Sequence, residues 1–99
     1  MRMIVLGPNG QLGTDILRAA AGRPRIQALP VARHDLDVAE LEYLADRLQA
    51  LAFDVLVNCT SYHKTDEVEA NATHAFRVNA HAVRTMAEVC HRKNARFVH

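Results

Sequence analysis

Ninety-nine residues are enough for one small domain and no more. Apolar residues make up 49% and charged residues 23%, and twelve Lys and Arg against eleven Asp and Glu leave a net charge of +1. That mix excludes collagen-like, low-complexity and disordered chains, and it argues against a nucleic-acid binder built on a basic surface. No apolar run is long enough to cross a bilayer, so no membrane partner is expected. The opening Met1-Arg2-Met3-Ile4-Val5-Leu6-Gly7 is too short for a signal-peptide core, and no A-x-A cleavage site follows it. Cys59 and Cys90 form no C-x-x-C pair and are too few for a disulfide framework, which makes the cytoplasm the default expectation.

Met3-Ile4-Val5-Leu6 is a short continuous apolar run with β-branched residues, the pattern of a buried parallel strand. Glycines follow at Gly7, Gly10 and Gly13. Leu12, Ile16, Leu17 and Ala20 then recur at helical spacing until Gly22 and Pro24 end the segment. Ile26 to Val31 is a second apolar stretch, and Pro30 inside it predicts an edge position or the strand's end. Asp37-Val38-Ala39-Glu40 reads as an N-cap acid with Glu three residues on, and Leu41, Leu44, Leu48 and Leu51 make one apolar helical stripe after it. Phe53-Asp54-Val55-Leu56-Val57 is the third strand, and a polar loop from Asn58 to Thr65 leaves it. From about Asp66 to Lys93 the pattern is helical. Phe76, Val83, Met86, Ala87 and Cys90 lie near one face, with an Ala-rich remainder that predicts cover on two sides. Arg96-Phe97-Val98-His99 begins a fourth strand.

The order β-α-β-α-β-α-β predicts an α/β fold: a parallel sheet of about four strands with right-handed crossovers and helices on both faces. It is half of a Rossmann-like, doubly wound NAD(P)-binding domain. An ending in mid-strand reads as the N-terminal part, residues 1–99, of a longer dinucleotide-binding domain.

Gly7-Pro8-Asn9-Gly10-Gln11-Leu12-Gly13 spells G-x-x-G-x-x-G between the first strand and the first helix. A phosphate cradle needs that placement. The turn needs glycine's conformational freedom, the pyrophosphate needs a backbone without Cβ, and the helix N-terminus offers free N–H groups and the positive end of a dipole. Gly13 would let the helix pack close to the sheet. Pro8 removes one N–H, so the donors are expected from Asn9 onward. A purely structural glycine turn is the competing reading.

These residues also resemble a known family. Leu6-Gly7-Pro8-Asn9-Gly10-Gln11-Leu12-Gly13 resembles the T-G-A-N-G-Q-L-G opening of the dTDP-4-dehydrorhamnose reductases, a family of extended short-chain dehydrogenases/reductases. Asp35-Leu36-Asp37-Val38 is similar to its L-D-I segment, and Phe53 to Glu69 to its P-D-V-V-I-N-A-A-A-Y-T-A-V-D-K-A-E block. Val78-Asn79-Ala80 matches its V-N-A, and Arg96-Phe97-Val98-His99 matches the strand before its S-T-D. The resemblance implies that Gly7, Asn9, Gly10, Gln11, Leu12 and Gly13 surround the cofactor pyrophosphate. It implies that Asp37 and Val38 sit by the adenine, that Ser61, Tyr62 and His63 line the cofactor beyond the third strand, and that Asn79 braces the active-site strands. Asp37 as a helix cap is an equal reading, and both can hold.

The family's chemistry uses a Ser/Thr and a Y-x-x-x-K pair. Here Tyr43 is followed four residues on by Arg47, and Tyr62 by Asp66, so the chain carries the cofactor half without the chemical half. An acid commonly ends the second strand in NAD enzymes and bonds the ribose hydroxyls. That position is Pro30 or Ala32 here, with Arg33 and His34 beside it. Loss of the acid and gain of Arg33 favour NADP over NAD. The implied function is reduction of a nucleotide-linked 4-keto sugar by a nicotinamide cofactor. The implied partner is the nucleotide sugar, and a homodimer is allowed. The alternative is a non-catalytic regulatory protein resembling the β subunit of methionine adenosyltransferase, which Pro8, Cys59-Thr60 and His63-Lys64 would suit. His74 and His81 are seven residues apart on one helix, too far for one metal ion.

Overall fold

The computed structural model describes residues 1–60 and 72–99. Strands β1 (Arg2–Leu6), β2 (Gln27–Val31), β3 (Val55–Asn58) and β4 (Arg96–Val98) alternate with helices α1 (Gln11–Ala21), α2 (Leu41–Ala50) and α3 (Ala72–Lys93). All strand pairs are parallel, in the order β2-β1-β3-β4. The two central strands are the most apolar because both of their faces are covered. Ile4, Val5, Leu6, Val55, Leu56 and Val57 are all 6% exposed or less. Pro30 lies on β2, an outer strand of the described sheet, the kind of position where a residue without an N–H is tolerated.

The chain steps from β1 to β2 in one direction and then reverses through β3 and β4. Right-handed crossovers therefore place α1 on one face and α2 with α3 on the other. The packing agrees: α1 contacts β1 and β2, and α2 packs on α3. On that second face Ile4, Leu6 and Leu56 meet Leu44 and Leu48 of α2 and Ala82, Met86, Val89 and Cys90 of α3 in one buried cluster. Burial pushes the Cys90 thiol above its ordinary pKa, against a smaller opposing pull from the Lys93 charge. At the amino ends of the strands Asp54 ties the sheet together: its carboxylate accepts from the Arg2 N–H at 2.7 Å and its carbonyl from the Arg96 N–H at 2.9 Å.

Three expectations change. Helix α2 starts at Leu41 with Glu40 as its cap residue, so Asp37 does not cap it. Asp37 instead accepts the Ala39 N–H at 3.0 Å, closing a tight turn ahead of the helix. The local bond two residues on competes with, and here replaces, the helical cap. Leu12, read as part of the apolar stripe of α1, is 61% exposed in the helix's first turn at the mouth of the glycine loop. The buried face of α3 is Val78, Ala82, Met86, Val89 and Cys90, whereas Phe76 is 73% exposed and Ala87 is exposed too. A long helix with alanines on every side leaves its apolar stripe poorly defined, and the sheet and α2 cover a single face.

Met86→Ala should therefore cost about 2–5 kcal/mol, the range for emptying a core site. Phe76→Ala should stay within about 0.5 kcal/mol, as for an exposed side chain. Urea midpoints at unchanged slope give both values.

Candidate functional site

In an open parallel sheet, ligands bind outside the carboxyl ends of the strands, where the strand order reverses. Here the reversal falls between β1 and β3. Three segments gather at that end: Gly7 to Gly13 after β1, Arg33 to Val38 after β2, and Asn58 to Thr60 after β3.

The three loop glycines do different things. Gly7 has φ +74°, and a Cβ there would lie 2.7 Å from the Cys59 carbonyl oxygen, so the β1 and β3 loops touch through bare backbone. A Cβ on Gly13 would lie 2.2 Å from the Gly7 carbonyl oxygen and 2.9 Å from the Pro8 Cα, so α1 approaches its own loop more closely than any side chain permits. Gly10 is under no such constraint. Its φ of −78° and ψ of 171° suit any residue, and the nearest atom to an added Cβ, the Gly7 carbonyl oxygen, is 3.8 Å away. Nothing in the described protein requires glycine at position 10.

Gly10 is the cap residue of α1, and no side chain caps that end. Its carbonyl accepts the Thr14 N–H at 3.0 Å, the first bond of the helix. The N–H groups of Gln11, Leu12 and Gly13 precede that bond and have no carbonyl within the helix to meet. Asn9, Gly10, Gln11 and Leu12 are exposed, while Pro8 is buried. The Thr14 hydroxyl fixes the loop from behind, 2.7 Å from the Gly10 carbonyl oxygen and 3.2 Å from that of Pro8.

After β2, the Ala32 carbonyl accepts from both Asp35 and Leu36 N–H groups at 3.0 Å, making a turn that projects Arg33. Arg33 and Asp37 meet there: Arg33 Nε lies 3.1 Å from Asp37 Oδ2. Leu36 and Val38, 5% and 8% exposed, are set into the core on either side of Asp37. Val38 thus stands beside the candidate adenine position by its backbone, with its side chain in the core.

After β3, Asn58 is a buried polar residue, 7% exposed, that sequence reasoning read only as part of a loop. Its Oδ1 accepts the Thr60 N–H at 3.0 Å and the Thr60 hydroxyl. The N–H can only donate, so Oδ1 must face Thr60 and Nδ2 must donate to His99 Nδ1, 3.2 Å away. Asn58 thereby holds the β3 loop and the end of β4 together. A polar residue closing an otherwise apolar strand was the available signal. Asn79 of α3 lines a groove of about 550 Å³ with Asn58, Thr60 and His99. Ser61, Tyr62 and His63 lie outside the described residues. No group of His, Cys, Asp and Glu suited to a metal ion occurs among the described residues.

The model of the family described as RmlD substrate binding domain matches residues 1–99. The chain belongs to that family. It is 34% identical to a dTDP-4-dehydrorhamnose reductase of Burkholderia thailandensis over 99 residues, all of this chain and 33% of that protein. It is 33% identical to one of Mycobacterium tuberculosis over 98 residues, 99% of this chain and 31% of that protein. The chain thus spans about a third of the length of these RmlD relatives. A dTDP-4-dehydrorhamnose reductase of Bacillus anthracis, solved in complex with NADP, superposes with a TM-score of 0.78 at 25% identity, over 97% of this chain and 34% of that one. One from Clostridium acetobutylicum gives 0.83 at 24% identity, over 98% and 34%, a likeness of fold.

The geometry separates the glycines experimentally. Gly13→Ala should cost about 1–3 kcal/mol or more, because backbone has to move. Gly10→Ser should leave stability unchanged or raise it, since serine is a favoured cap residue. Asn58→Ala should cost about 1–3 kcal/mol by removing the acceptor that Thr60 uses. Denaturant titrations of the three variants check this order.

Proposed function

We propose that this chain is the dinucleotide-binding part of an NADP-dependent reductase acting on a nucleotide-linked 4-keto sugar. One observation carries the reading: Gly10, in the exposed turn at the uncapped N-terminus of α1, is a glycine that nothing among the described residues requires. A phosphate lying on that turn would use it, because any Cβ there would occupy the space of a phosphate oxygen. Asn9 and the free N–H groups of Gln11, Leu12 and Gly13 would hold the pyrophosphate. Gly7 and Gly13 would keep the cradle's backbone in place. Asp37, with the Val38 backbone, would face the adenine. Arg33 would meet the 2′-phosphate, and no acid at Pro30 or Ala32 would repel it. Asn58 and Asn79 would brace the walls toward the sugar.

When bound, the nicotinamide supplies a hydride to the sugar's C4. The chain's own residues bind and orient the cofactor for it. The proton donor is proposed to lie outside these residues, since neither Tyr43 nor Tyr62 has a lysine four positions on. The relatives support this reading by name: the proteins of Burkholderia thailandensis and Mycobacterium tuberculosis are dTDP-4-dehydrorhamnose reductases, and that of Bacillus anthracis is one in complex with NADP. No comparison supports the regulatory-subunit alternative. Among the described residues no helix is long and apolar enough to cross a membrane.

Gly10→Val tests the cradle. The melting temperature should drop little, because the site is open and extended, while NADPH binding is lost. A folded Gly10→Val protein with the parental dissociation constant would remove the assignment. Arg33→Ala should weaken NADPH by about 1–3 kcal/mol, the range for a charge-assisted bond, and NADH hardly at all. Equal losses for the two cofactors would refute the 2′-phosphate contact.

A further inference from the structure

The turn after β2 joins two residues that the dinucleotide reading gives separate tasks. Arg33 reaches Asp37 through Nε alone, 3.1 Å from Oδ2. The other carboxylate oxygen is already held, accepting the Ala39 N–H at 3.0 Å. Backbone on both sides of Asp37 is anchored, with Leu36 and Val38 buried in the core. The carboxylate is therefore a fixed post on a fixed turn. Arg33, by contrast, is 67% exposed, and Asp37 21%. An exposed pair of this kind adds little to stability, so its consequence lies in orientation.

Resting on the dinucleotide reading above, we infer that Asp37 is a positioning residue for Arg33, turning its guanidinium so that the two terminal nitrogens select a 2′-phosphorylated adenosine. The chemistry of the fork supports this. A guanidinium whose Nε is occupied keeps its Nη1–Nη2 edge, and that edge matches two oxygens of one phosphate. An unrestrained arginine would sample many rotamers and lose that freedom on binding. One tethered at Nε has lost part of it already. The carboxylate's own repulsion of the phosphate works the other way. The carboxylate's charge is already paired with the guanidinium at 3.1 Å, which offsets that repulsion and leaves orientation as the larger effect. Asp37 keeps lone pairs for the adenine amino group as well, because an ionised carboxylate accepts about four hydrogen bonds.

The test uses two probes that carry only the adenosine half, adenosine 2′,5′-bisphosphate and adenosine 5′-monophosphate. Their dissociation constants are measured by calorimetry on the wild-type protein and on Asp37→Ala, Arg33→Ala and the double variant. Asp37→Ala should cut the preference for the 2′-phosphorylated probe on the order of tenfold, the scale of one charge-assisted contact. Asp37→Asn, which keeps an acceptor for Nε, should restore part of it. In the Arg33→Ala background Asp37→Ala should leave the preference unchanged. Melting temperatures confirm folding, and should the alanine variant fail to fold, Asp37→Asn is compared with wild type, where a smaller but measurable loss of the preference is expected and an unchanged or raised preference overturns the inference. A preference that Asp37→Ala leaves unchanged or raises overturns the inference, as does an equal loss for both probes, which would mark Asp37 as an adenine or turn residue. Wild-type protein that binds neither probe overturns the dinucleotide reading itself and the inference with it.

Discussion

Bare backbone meets bare backbone at the carboxyl end of the sheet, and the site depends on that contact. The carbonyl of Cys59 sits where a side chain on Gly7 would go, and the carbonyl of Gly7 sits where one on Gly13 would go. The loop after β1 is thereby clamped between the β3 loop and α1. Its exposed tip, from Asn9 to Leu12, is held by these backbone contacts and, at the rear, by the Thr14 hydroxyl. Preorganisation of this kind matters for a phosphate site, because N–H groups already aimed need no ordering when an anion arrives. Pro8 fits the same logic: its missing N–H is on the buried side of the loop, where no ligand would use it.

The opposite end of the sheet shows why movement is not expected to spread. There Asp54 links β1, β3 and β4 through its carboxylate and backbone. On one face α2 and α3 share a cluster in which Leu44, Leu48, Met86 and Val89 are fully buried. The strands are thus fixed at their amino ends and along that face, and the loops at their carboxyl ends extend from a rigid base. Function placed on such loops can vary without disturbing the base.

Sheet and topology were legible in the residues because β1 and β3 are short, apolar apart from Arg2 at one end and Asn58 at the other, and followed by glycine or polar loops, a pattern with few alternatives. Pro30 marked the outer strand for a reason of hydrogen bonding alone. What was not legible depended on choices between near-equal local options. Asp37 and Glu40 satisfy a capping pattern, but the carboxylate found Ala39 instead, and the helix began later. The turns of α3 carry apolar or small residues on every side, so only the packing of α2 and the sheet selects Val78, Ala82, Met86 and Val89 over Phe76. The glycine motif was visible as a motif, yet its division into two structural positions and one open position depends on distances that spacing does not contain. Asn58 was read as a loop residue and not as a brace because its bracing role is three-dimensional: His99 lies 41 residues away in the chain.

That division of labour bears on how cofactor preference can change. The buried polar residue, Asn58, is tied to the fold, and losing it costs stability whatever the ligand. Gly10 and Arg33 sit on exposed turns whose backbone is fixed by other residues, and Asp37, partly exposed, holds its own turn only through the Ala39 N–H. On the proposed reading, substitution at these three positions would alter what the surface recognises while leaving Leu36, Val38, Gly7 and Gly13 in place. The ion pair adds a second degree of control. On the proposed reading, Arg33 would set whether a phosphate is attracted, and Asp37 would set where the attracting edge points. On that reading, a change from one nicotinamide cofactor to the other would require only side chains at the end of β2, with no rearrangement of the sheet, because neither Arg33 nor Asp37 belongs to the buried cluster beneath them.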